Sequence, residues 1–205
     1  MKTRSDHFTV PRKWLRHGLL LVLVFAAIIS LVAARYPTPE PVGISGWVVV
    51  EKSATDDDTA TIQAAIDLVA RTGGVVFFPA GVYRHTGLTG RANVHLKGVH
   101  VASVKLDYTL PTGDGITLAP DPDNFMVSDL TLSSSGRTSG WGIRAEAGTQ
   151  RSVRIERATI GGFQNGIFVS NALCVSVRQC RIGHTYPNDP KGIGLKFGNG
   201  QDMGG

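Results

Sequence analysis

The 205 residues are 42% hydrophobic and 18% charged, enough apolar surface for a core, which excludes the disordered and fibrous classes. Twenty-five glycines and 10 prolines without a collagen period point to many turns and short strands. The net charge of +5 lies wholly within residues 1–35, where Lys2, Arg4, Arg12, Lys13, Arg16 and Arg35 face Asp6 alone. The rest of the chain balances, so a basic nucleic-acid-binding domain is excluded as the leading reading.

Residues 1–17 form a basic segment that predicts a cytoplasmic amino terminus. Gly18–Ala34 (GLLLVLVFAAIISLVAA) then runs uncharged, with Trp14 and Tyr36 on its flanks. In hydrocarbon such a segment satisfies its backbone only as a helix, here at the short end of what spans a bilayer. Two readings stay open: an uncleaved signal anchor, or a signal peptide cut after Ala34. Either one exports everything beyond Arg35. Residues 35–46, with Pro37, Pro39 and Pro41, read as an extended spacer, and a domain is expected over 47–205.

A helix is predicted over 59–71, with Asp58 or Thr59 as its cap and Gly73-Gly74 as its end. Ile62, Ala65, Ile66 and Val69 give it one apolar stripe. VVFF (Val75–Phe78) and Val82–Arg84 come next as strand signals around the turn Pro79-Ala80-Gly81. Beyond residue 90 four eight-residue windows repeat: VHVASVKL (99–106), FMVSDLTL (125–132), VRIERATI (153–160) and VSVRQCRI (175–182). Positions one, three, six and eight are apolar or small, with a reset of the alternation in mid-window. A Gly-Ile pair comes after each window: Gly115-Ile116, Gly142-Ile143, Gly166-Ile167 and Gly192-Ile193.

Spacings of 26, 28 and 22 residues suit one coil of a parallel β-helix, whose short strands bury their apolar face only by stacking. The expected fold is therefore an all-β solenoid with an amino-terminal capping helix, preceded by one transmembrane or signal helix. No cap is seen after the last coil, so the solenoid is expected to be incomplete at Gly205 and to continue in a longer protein, or to be covered by a partner. Cys174 and Cys180 are expected to be buried free thiols on different faces of a strand layer.

The run Asp57–Tyr83 (DDTATIQAAIDLVARTGGVVFFPAGVY) resembles the amino-terminal signature of the pectate-lyase-like superfamily. The match is carried by Asp57-Asp58-Thr59, Ile62-Gln63, Ala65-Ile66, Gly73-Gly74, Pro79-Ala80-Gly81 and Tyr83. That resemblance implies a right-handed parallel β-helix in a group that includes polygalacturonase-like and rhamnogalacturonase hydrolases, lyases, uronan epimerases and phage tailspikes. Function must still come from the site. The Asn-Thr-Asp and Arg-Ile-Lys motifs of the hydrolases do not occur, and Gly183-His184-Thr185 breaks a third, so no catalytic residue is carried over. The lyases would imply Ca2+. Asp121 and Asp123 around Pro122 read better as a solvated turn, and Asp56–Asp58 as loop and helix cap, so no metal ligand is assigned and no cofactor is evident.

Outward positions of the windows form columns along the solenoid. Position four gives Ala102, Ser128, Glu156 and Arg178, and position two gives His100, Met126, Arg154 and Ser176. Arg154, Glu156 and Arg178 are candidates for the floor of an anionic-sugar groove, against the plainer reading of an exposed Glu156–Arg178 ion pair. His184 has similar standing. The function expected from the resemblance is action on extracellular polysaccharide, of glycosidase, lyase or epimerase type, with catalytic residues beyond residue 205. The expected partners are a polysaccharide, acidic in the groove reading, and the membrane through residues 18–34, with no nucleic acid. The alternatives are a non-catalytic surface solenoid that binds glycan or protein, and a truncated, inactive fragment.

Overall fold

In the computed structural model, which describes residues 46–120, 123–148, 151–183 and 192–198, every assigned strand pair is parallel. One face, sheet A, stacks β1 (Trp47–Val49), β2 (Gly74–Phe78), β5 (Val94–Gly98), β8 (Phe125–Ser128), β10 (Val153–Glu156) and β12 (Val175–Arg178) in that order. Sheet B stacks β3 (Gly81–His85), β6 (Val104–Tyr108), β9 (Thr131–Ala145), β11 (Thr159–Val169) and β13 (Arg181–Ile182). Three further strands extend it: β4 (Leu88–Gly90) pairs with β7 (Ile116–Leu118), β7 with the end of β9, and β14 (Leu195–Phe197) with the end of β11. Consecutive layers of each sheet come from successive coils, which is the expected parallel β-helix.

Alternation in sequence becomes inside and outside in space. β5 buries Val94, Leu96 and Gly98 and leaves His95 and Lys97 half-exposed. The buried residues of all coils join one continuous core from Val48 to Val169. At the corner between the sheets the fifth residues of three windows, Asp129, Arg157 and Gln179, adopt φ of 59°, 45° and 54° in turn. One left-handed residue turns the chain and shifts the parity of the next strand, which is the physical basis of the mid-window reset.

Helix α1 (Thr59–Val69) buries Ile62, Ala65, Ile66 and Val69, the predicted stripe, against β1, β2 and β4. Its cap differs from expectation. Asp58 stands at the N-cap position but makes no side-chain cap bond; its carboxylate accepts the Ser53 N–H at 2.7 Å and the Arg84 N–H at 3.0 Å. Asp57 instead accepts the Thr59 N–H at 2.9 Å. A buried carboxylate thus ties the loop before the cap helix to the first strand of sheet B.

Three other expectations are corrected. The first window is misplaced: Val94, not Val99, occupies the level of Phe125, because His95 pairs with Met126 and Lys97 with Ser128. Five extra residues, Val99–Ser103, fill the corner before β6, whose Lys105 and Leu106 do meet Thr131 and Leu132 as the windows imply. The fourth Gly-Ile pair is also displaced, since Ile167 lies beside Leu195, so that Gly194-Leu195 takes the place of Gly192-Ile193. Glycine recurs there through close approach between coils: a Cβ on Gly115 would come within 2.8 Å of both the Gly142 carbonyl and the Phe163 ring. Finally, Cys180 packs against the core as expected, but Cys174 is exposed; both are free.

Residues 1–17, the apolar segment 18–34, the spacer up to residue 45, Asp121 and His184 lie outside the described residues. Among the described residues no helix is long and apolar enough to cross a membrane.

Candidate functional site

The strongest convergence of aromatic, basic and acidic side chains lies on the outer face of the extended part of sheet B. Ile116, Ile143, Ile167 and Leu195 are in register there, so the next residue of each strand points outward in a column: Thr117, Arg144, Phe168 and Lys196. Trp141, three residues before Arg144, lies beside Asn165 on the neighbouring coil. Its ring sits 5.2 Å from that of Phe168, tilted by 32°. The Lys196 ammonium lies 5.4 Å from the Phe168 centroid, within cation–π range.

Charge in this cleft is organised around Arg144. Its Nε donates to Glu146 Oε2 at 2.8 Å and its Nη1 donates to Asp114 Oδ2 at 3.4 Å. These carboxylates push the guanidinium pKa up, Glu146 most. Asp114 in turn accepts the Trp141 N–H at 2.8 Å, and so fixes both the indole-bearing backbone and the arginine. Ser170 donates to the Glu146 carbonyl at 3.2 Å. The resulting open cleft of about 430 Å3 is lined by Trp141, Arg144, Glu146, Phe168, Asn171 and Lys196, among others. Chemically it offers the partly exposed Trp141 ring, backed by the buried Phe168, for sugar C–H groups, a carboxylate that accepts hydroxyls, and an ammonium that meets an acid group.

The sequence-derived candidates lie elsewhere, on the outer face of sheet A. Arg154 stands in register between Met126 and Ser176, and Glu156 between Ser128 and Arg178, as the window columns imply. The heads of those columns are His95 and Lys97, not His100 and Ala102, because of the five-residue corner. Glu156 is paired with Arg157 at 3.3 Å, so its carboxylate turns to the corner. Arg157 also clamps Asp129 through Nε and Nη2 at 2.6 and 2.9 Å, and that fork holds the Asp129 carboxyl well below the usual carboxylate range. Ser128 and Lys97 add further donors to the same carboxylate, at 2.8 and 3.4 Å.

The Trp141 cleft was missed by the windows because its residues flank the Gly-Ile pairs, outside the repeated octets. The residue after each pair is the readable signal: Thr117, Arg144 and Phe168, with Lys196 displaced by the two-residue shift. As for calcium, no three His, Cys, Asp or Glu side chains gather in metal-ligating geometry among the described residues. The acids at the cleft are already held by Arg144, which does not suit a divalent ion.

Fold and sequence similarity together place the chain in the pectate-lyase-like superfamily of parallel β-helices of the right-handed type. No family model matches it. Its relatives of known name include mannuronan C5-epimerases of Azotobacter vinelandii. AlgE2 is 36% identical over 51% of this chain and 13% of its own length, and AlgE4 is 37% identical over 51% of this chain and 23% of its own. Among solved structures, the A-module of AlgE4 superposes with a TM-score of 0.54 at 25% identity, covering 73% of this chain and 48% of that one. The chain thus spans less than a quarter of those curated relatives and about half of the solved module.

Proposed function

We propose that this chain is the polysaccharide-binding β-helix of a protein of the C5-epimerase type, which acts on an acidic, uronate-containing polymer held in the Trp141 cleft. The observation that carries the reading is the outward column Arg144–Phe168–Lys196 beside Trp141, supported by relatives named for action on mannuronan. Epimerisation at C5 removes a proton beside a carboxylate from one face of the ring and returns one on the other. That chemistry requires the carboxylate charge to be met by a cation, and Lys196, with one face on Phe168, suits the task. Arg144 is committed to Glu146 and Asp114, so its role is to hold the cleft open and the acids in place. The basic segment 1–17 and the apolar segment 18–34 support placing this β-helix outside the cell, attached to the membrane or released from it.

The test is affinity electrophoresis of the full chain, in detergent, through gels that contain polymannuronate or a neutral glucan, with proton NMR of the incubated polymer afterwards. Retardation by polymannuronate alone is expected, weakened about fivefold or more in Trp141→Ala; inverted residues in the polymer would show that the catalytic groups also lie within this chain. Equal mobility in both gels would sink the uronan reading, and retardation without change in the polymer would leave a binding module instead of an enzyme.

A further inference from the structure

We infer that sheet A carries a second, separate subsite, built around Arg154, that takes a carboxylate-bearing sugar of an acidic glycan. It shares the ligand class of the proposed function but uses none of the residues of the Trp141 cleft. A depression of about 360 Å3 opens on the outer face of β2, β5, β8 and β10, lined by Thr72, Asn93, His95, Asn124, Met126 and Arg154 among others. Among the described residues no acidic side chain lines it. Near it, Lys97, Arg151 and Arg157 are each paired with a carboxylate. Arg154 has no ion pair among the described residues, so its planar fork is free to meet an external carboxylate through two parallel hydrogen bonds.

Neighbouring groups supply the rest of a sugar site. Asn124 donates to Asn93 at 3.2 Å, and the two amides, each on a left-handed backbone (φ 54° and 58°), form the rim. His95 contributes an acceptor by a chain of fixed protons. Asp129 is ionised and accepts the Ser128 hydroxyl proton at 2.8 Å. Ser128 Oγ must therefore receive its partner's proton, so the His95 Nε2 at 2.8 Å carries the hydrogen. Burial, with Lys97 nearby, lowers the His95 pKa to about 4, so at neutral pH the ring has one proton and Nδ1 is left as an acceptor. Asp129, Glu156, Lys97 and Arg157 are the charged groups that face this ring. Arg154 and His95 stand two strand spacings apart, about 9.6 Å along the stack, so a guanidinium for the carboxylate and an imidazole nitrogen for a hydroxyl line the same depression.

The test uses a mannuronate trimer and its carboxyl-reduced form as probes, with His95 ring protons followed by NMR in the full chain. The trimer is expected to shift the His95 resonances in wild type and in Trp141→Ala, and to leave them unmoved in Arg154→Gln. Arg154→Lys should give an intermediate shift, because a point charge replaces the fork. A His95 shift that survives Arg154→Gln, or one produced equally by the carboxyl-reduced trimer, overturns the subsite. Loss of the His95 shift in Trp141→Ala also overturns it, because one cleft then accounts for all binding. Trimer shifts at His95 without any at Trp141 would instead fail the proposed cleft and leave this subsite standing.

Discussion

His85 ends β3 with its ring fully buried against Tyr108, centroids 5.6 Å apart, and neither ring nitrogen has a hydrogen-bond partner among the described residues. Burial pushes its pKa from 6.5 down to about 4, only partly offset by Asp107 and Asp57. The unfolded chain therefore binds the extra proton first as pH falls below about 6.5, and stability declines until the folded form also protonates near pH 4. A gap of this size corresponds to about 3 kcal/mol. His85→Phe, which continues the Tyr108–Phe163 stack, is expected to gain about 1–3 kcal/mol at neutral pH by removing an unsatisfied polar ring. Urea unfolding at pH 5 and pH 7.5 reads the rest: the variant should keep only the acid dependence that His95 supplies. An unchanged pH slope would show that the ring is hydrated. Nothing in the sequence marked this residue, since His at an alternating position looks the same whether it finds a partner or not.

The corner between the sheets works through one element per coil. Asp129, at φ 59°, is clamped by Arg157 from the next coil, by Ser128 from its own and by Lys97 from the coil before. Asp129→Asn tolerates the same backbone but loses the charge-assisted bonds, and is expected to cost about 1–3 kcal/mol in chemical denaturation. Because the folded-state pKa is depressed, this stabilisation is present above the unfolded pKa near 3.8 and fades as pH falls below it. Wild type and variant should therefore converge in acid, and a constant difference down to pH 2 would refute the charge clamp. The corner was legible as a reset of alternation because a left-handed residue shifts parity in every coil where it recurs. It misled in the first window, where exposed Val99 and half-buried Val101 imitate the inward positions that Val94 and Leu96 occupy. Register depends on which strand accepts the hydrogen bonds, and a five-residue corner leaves no mark in a period-two pattern. The same limit hid the Trp141 cleft, since its outward column mixes Thr117, Arg144, Phe168 and Lys196, four chemistries with no shared signature.

At the scale of the whole described solenoid, each coil touches only its neighbours, so stability should propagate along the stack from whichever end is covered. α1 covers the start, and its stripe was readable because a helix that closes a core must be apolar on one side and polar on the other. Asp58 adds a second tie, joining Ser53 to Arg84 across the cap and β3. Ile66 is fully buried at that junction, and Ile66→Ala is expected to cost about 2–5 kcal/mol. In a globular domain with one cooperative core that loss would lower protection everywhere alike. In a stack of nearest-neighbour interfaces it should lower amide-exchange protection first in β1, β2 and β3, with β10 and β11 little changed. Native-state hydrogen exchange by mass spectrometry separates the two. A uniform loss would mean that the continuous core from Val48 to Val169 unfolds as one unit, and that the cap helix stabilises distant coils as strongly as adjacent ones.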